Sequence, residues 1–177
     1  MEKINDNTNR SAVSLSLYNL ALDHHEGIIC LTGHNNGSSS FALVRPQLEA
    51  YLRGMWMQSV ATDEEIELFI EEDKLRLSLQ KMANEVQNIC DPDDDTLIKL
   101  VEKSKKPLHS LTHGGTHQVN RHFRDGETIK ADFKQNELAE NLYYSNVVAI
   151  YTGVAVASIF DDKELSASIL YKYSAYK

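Results

Sequence analysis

The chain has 177 residues, 42% of them hydrophobic and 25% charged, which suits one globular domain with a sizeable core. Its net charge of −8 argues against a protein that coats nucleic acid non-specifically, because that needs a basic surface. A small basic pocket stays compatible. Three prolines and eight glycines leave room for long helices, and Cys30 and Cys90, with no metal-like spacing, read as buried thiols of a reducing compartment.

Residues 1–9 are polar, lack the apolar core of a signal peptide and read as a frayed lead-in to a single domain over residues 10–177. A first helix is expected over 10–32, where Val13, Leu17, Leu20, Ile28 and Leu31 keep the helical period. Residues 34–40 form a turn whose serines can cap the next helix. That second helix, residues 41–60, is apolar almost all round, as in the middle of a bundle. Pro46 removes the amide that would bond the Ala42 carbonyl, so the helix either kinks or restarts there.

Thr62 and Glu65 form a capping box for a third helix, which buries Ile66, Phe69 and Ile70. A fourth carries Leu75, Leu79, Met82, Val86 and Ile89 in one stripe, ended by Asp91-Pro92. Asp93, Asp94 and Asp95 open a fifth, over residues 96–104, with lysines at its far end. Residues 128–133 could be extended but have no partner strand. A long helix is expected from Gln135 to Phe160. Asp161 and Asp162 cap a last one with Leu165, Ile169, Leu170 and Tyr173 on one side. The sum is an all-α bundle of six to eight helices. Residues 142–160 carry no charge, but Ser145, Asn146, Thr152, Gly153 and Ser158 interrupt the run too often for a membrane span of about 20 apolar residues. A cytoplasmic protein with no membrane partner is expected.

Two stretches carry candidate chemistry. In the second helix Arg45, Glu49 and Arg53 recur every four residues and share one face, with Trp56 near the same stripe. One carboxylate cannot neutralise two guanidinium groups, and a buried unpaired charge is expensive. Residues 108–124 hold four of the seven histidines. His109, His113, His117 and Arg121 also recur every four residues, interrupted by Gly114-Gly115, which suggests a helix break or a close backbone approach. One reading sets the two stripes face to face. Arg45, Arg53 and Arg121 then bind a phosphate or other anion, Glu49 orients a partner, and His113 and His117 serve as acid or base. The plainer reading makes the ladder an internal salt-bridge network and the histidines a solvated surface.

No cofactor motif is present. His25-Glu26 begins like a zinc-protease signature, but Ile29 stands where the second histidine belongs. His113 and His117 lack an evident third metal ligand. The acids at 91, 93 and 95 miss the glycine of a calcium loop, Thr96 standing in its place.

Taken in order, ALVRPQLEAYLRGMWM, ATDEEIELFIEEDKL and LHSLTHGGTHQVNRHF resemble a family of bacterial helical proteins related to abortive-infection and HEPN-type domains. The resemblance spans residues 38–160. It implies a HEPN-like bundle, in a phage-defence or toxin–antitoxin setting, with nucleotide or RNA as ligand. HEPN ribonucleases carry a histidine five to seven residues after an arginine. No arginine here has one, since Arg121-His122 are adjacent, so the resemblance implies binding or a rearranged site more than RNA cleavage. Two other functions stay open. One is a non-catalytic interaction module, immunity, antitoxin or adaptor-like, whose acidic surface suits a basic protein partner. The other is a homodimeric scaffold built on the long helix over residues 138–160.

Overall fold

A computed structural model describes residues 6–72, 75, 77–90, 98–99, 101–102, 109–120, 122 and 133–174. Among the described residues there are seven helices and no strand: α1 (Asp6–Gly33), α2 (Gly37–Ser59), α3 (Asp63–Glu72), α4 (Leu79–Cys90), α5 (Thr116–Asn120), α6 (Gln135–Ile159) and α7 (Lys163–Ser174). The acids at 91–95, most of the expected 96–104 helix and all but Phe133 of the stretch 128–133 lie outside the described residues.

Three long helices make the centre. α1 and α2 are antiparallel, and α6 lies beside both, running with α2. α2 is buried as its composition foretells, with Val44, Leu48, Leu52, Trp56 and Met57 almost wholly removed from water. It passes through Pro46 without restarting. α1 contributes Leu17, Tyr18, Ala21 and Ile28, whereas Leu20, on the period expected for the core, is exposed. Gly54 lets α1 approach closely, because a Cβ there would strike the Tyr18 ring.

Several helix ends have a local cause. Asn36 caps α2 through its side chain, accepting from the Ser39 amide, so the serines fill the first turn and do not cap it. Thr62 and Glu65 form the expected reciprocal box, at 3.2 and 2.9 Å, and Asp162 accepts from the Leu165 amide at the start of α7. Left-handed residues close three helical stretches: Asn35, Gly114 and Asp161. In each case the next amide reaches back five residues, from Asn36 to Leu31, Gly115 to Ser110 and Asp162 to Ala157, as in a Schellman turn. Asn and Asp tolerate this conformation better than other side chains because they bond locally. Arg10 ties α1 to the α2–α3 corner, donating to the Met57 carbonyl at 2.7 Å and to Asp63 at 2.6 Å.

Smaller elements clothe this centre. α4 packs on α2, where the Trp56 indole donates to Glu85 at 2.8 Å. Ile70 and Ile89, expected in buried stripes, are exposed, because each lies at the outer edge of a helix covered on one side only. Cys30 is exposed as well and not buried, and the Cys90 side chain lies outside the described residues. α7 folds back along α6 with Ile169 against Gly153 and the Tyr143 and Tyr173 hydroxyls 3.4 Å apart.

Candidate functional site

The ladder forms as its spacing requires. Arg45 donates from Nε to Glu49 at 2.7 Å, and an Arg53 terminal nitrogen stands 3.7 Å from the other Glu49 oxygen. The three side chains keep 23%, 40% and 25% of their area in water for Arg45, Arg53 and Glu49 respectively. They are therefore less buried than an apolar core helix suggests, and solvent answers part of the surplus charge. Arg53 Nε is the exception: it is buried without a hydrogen-bond partner among the described residues.

The histidine segment lies on the same helix, one turn earlier. Pro46 has no amide to give the Ala42 carbonyl. The Thr112 hydroxyl donates to that carbonyl at 3.2 Å, and His122 Nε2 lies 3.3 Å from the Ser38 hydroxyl. Gly114, at φ 64°, breaks the segment, as the glycine pair suggests, so the stripe is divided. His109 and His113 lie together before the break, ring centroids 4.6 Å apart and planes tilted by 55°. His117 follows it on α5, its amide held by the Ser110 hydroxyl at 3.0 Å. Gly115 passes so close to Ser110 that a Cβ would collide with it, so the glycine pair provides both the break and the close approach. His109, His113 and His117 are exposed and no described contact joins them to Arg45, Glu49 or Arg53. Arg121 lies outside the described residues. Among the described residues no three histidine, cysteine or carboxylate side chains converge as metal ligands.

A second polar cluster, hidden from a motif search, runs between α1, α2 and α6. The Gln47 amide nitrogen donates to the Ser145 carbonyl at 3.0 Å, which fixes the amide orientation because a carbonyl only accepts. Gln47 Oε1 therefore faces the Ser145 hydroxyl, which donates to it at 2.7 Å. A hydroxyl has one proton, so His25 Nδ1, 2.8 Å away, is the donor to Ser145. This serine–histidine pair is thus no nucleophile and base: the proton a base would remove is committed to Gln47, and Ser145 is fully buried. Two turns along, Ser40 receives a bond from Asn141 at 2.9 Å and lies 2.7 Å from the Thr32 hydroxyl. Burial lowers the pKa of both His24 and His25, with Asp23 partly opposing the effect on His24. The polar positions Asn141, Ser145 and Thr152 on one helical face were the available sequence signal for this seam.

Fold and site together define an all-helical bundle with a half-exposed arginine–glutamate ladder and a histidine segment seated on its central helix. The chain belongs to DUF6988, a family of unknown function, whose pattern covers residues 18–177. No curated protein and no solved structure matches it.

Proposed function

We propose that this chain binds a phosphate-bearing ligand, a nucleotide or an RNA phosphate, on the α2 face beside the histidine segment. One observation carries the reading: a single carboxylate, Glu49, is shared by two guanidinium groups on a molecule whose net charge is −8. Among the described residues Arg53 meets Glu49 only at 3.7 Å, and its side chain is 40% exposed, so its terminal nitrogens can take an anion. Guanidinium forks suit phosphate. The seating of the segment on the Ala42 carbonyl supports a fixed relation between histidines and ladder. His113 and His117, both exposed, act in this reading as proton donors or acceptors near a bound phosphate.

The finer resemblance, to HEPN-type domains in phage defence or a toxin–antitoxin pair, belongs to the same proposal. The all-helical architecture is compatible with it, and the missing arginine–histidine spacing turns it towards binding. Thermal melting tests the reading. Phosphate, a nucleotide panel or short RNA raises the melting temperature, since a ligand specific to the folded state stabilises it. The shift is lost in Arg53→Ala and partly kept in Arg53→Lys. No shift with any of these, or a shift indifferent to Arg53→Ala, sinks the idea. A second reading, a homodimeric scaffold, is favoured by a different surface, the outer face of α6.

A further inference from the structure

α6 is built inside out. Its buried positions are Leu138, Asn141, Ser145, Val148, Thr152 and Ala157, and three of the six carry polar groups. Asn141 and Ser145 bond to Ser40 and Gln47, and Thr152 donates to the Val148 carbonyl at 2.7 Å. The outward stripe is uncharged and mostly apolar, with Asn146 and Ser158 also exposed on it. Tyr143 is 56% exposed and Tyr151 43%, while Val147 and Val154 on the same stripe are half-exposed. A helix of a soluble bundle usually turns its apolar residues inward and its polar ones to water. α7 adds to this face. It buries no residue fully and leaves Leu165, Leu170 and Tyr171 exposed, with Phe160 at the corner.

We propose that the outer face of the α6–α7 hairpin is a self-association surface that closes on a second copy of this chain about a two-fold axis. Charge selects the occupant. The chain carries −8, so most of its surface repels its own copy, yet residues 142–160 contain no charged side chain. Contact there brings two apolar stripes together without facing like charges. The rim is self-complementary. α7 begins with Lys163, which lies 4.0 Å from Asp161, followed by Glu164, and its last turn carries Lys172. An antiparallel pair of α7 helices sets Lys172 against the partner subunit's Glu164, and symmetry supplies the same pair again. A basic protein would find no acid on the stripe. An anionic membrane surface would meet Glu137, Glu140 and the acidic α6–α7 corner, which repel it. Length and composition alone would let Gln135–Ile159 cross a membrane, but its inward face is held by the polar seam.

Sedimentation of the full chain across the micromolar range tests this. A dimer is expected. Tyr151→Glu gives a monomer whose circular dichroism and melting stay those of a folded protein, and Tyr171→Glu, at a 76% exposed position, weakens the dimer without threatening the fold. Lys172→Glu weakens association about three- to tenfold through two lost rim pairs, and adding Glu164→Lys restores it. A monomer at every concentration overturns the proposal, as does a dimer that survives Tyr151→Glu with undiminished affinity, or a charge swap that fails to restore. Flotation of a monomer with phosphatidylcholine vesicles would assign the face to lipid instead.

Discussion

The Thr112 hydroxyl donates to the Ala42 carbonyl at 3.2 Å, the carbonyl that Pro46 leaves without its helical amide. A proline inside a long helix thereby becomes a docking point for a segment 70 residues away. The two positions should be energetically coupled. Thr112→Val removes the donor and leaves the carbonyl short of a partner, a loss of about 1 kcal/mol. Pro46→Ala restores an amide to that carbonyl, and in its background Thr112→Val should lose markedly less. Chemical denaturation of the four species in this double-mutant cycle measures the coupling.

Gln47 and Ser145 form a second coupled pair, because they bond twice. Gln47→Leu keeps the volume but takes away the acceptor of the buried Ser145 hydroxyl proton, a loss of about 1–3 kcal/mol. Ser145→Ala should lose a similar amount, since it strands the Gln47 oxygen and the His25 donor. The double variant should lose less than the sum, because removing both partners leaves fewer orphaned groups. Urea midpoints at fixed pH decide this.

Stability should fall on acidification in a window set by His24 and His25. Both have pKa values lowered by burial. Above the unfolded value of about 6.5, neither state binds the proton and the contribution is flat. As pH drops through that value the unfolded chain takes up protons that the native chain refuses, so unfolding gains until the native pKa is passed. Denaturation midpoints measured from pH 8 down to pH 5 should decline, and His24→Ala should make the decline shallower. A midpoint that rises on acidification over this range would refute the assignment.

Gly54→Ala should destabilise although alanine is the better helix former. A Cβ at position 54 would lie 2.7 Å from Cδ1 of Tyr18, and Tyr18 is almost fully buried. Overpacking of about 1–3 kcal/mol outweighs the roughly 1 kcal/mol that alanine gains over glycine in a helix. Adding Tyr18→Leu should recover part of the loss in a thermal melt.

Helix positions were largely legible from local signals. The Thr62 box, the Asp162 cap and the 3.6-residue period each act within one or two turns, so the bounds of α3, α6 and α7 follow closely. The ladder was legible for the same reason, since residues four apart on a helix must meet. The break in the histidine stripe was legible from Gly114-Gly115, and the left-handed Gly114 places His117 on another helix. The facing of ladder and histidines was not legible, because the segment is registered by Thr112 and His122 on the first turns of α2, short of Arg45.

The sequence by itself determined that this protein is helical, that α2 is its apolar centre and that Arg45, Glu49 and Arg53 form one charged row. Those properties depend on spacing along a helix, which the chain carries locally. Only the tertiary structure decided which side of α6 faces inward. The hydrophobic period of that helix allows either its tyrosine stripe or its Asn141–Ser145–Thr152 stripe to be buried. Hydrogen bonds from Ser40, Gln47 and His25, donated or received by residues at least 98 positions away, make the polar stripe the buried one and leave the apolar stripe outside.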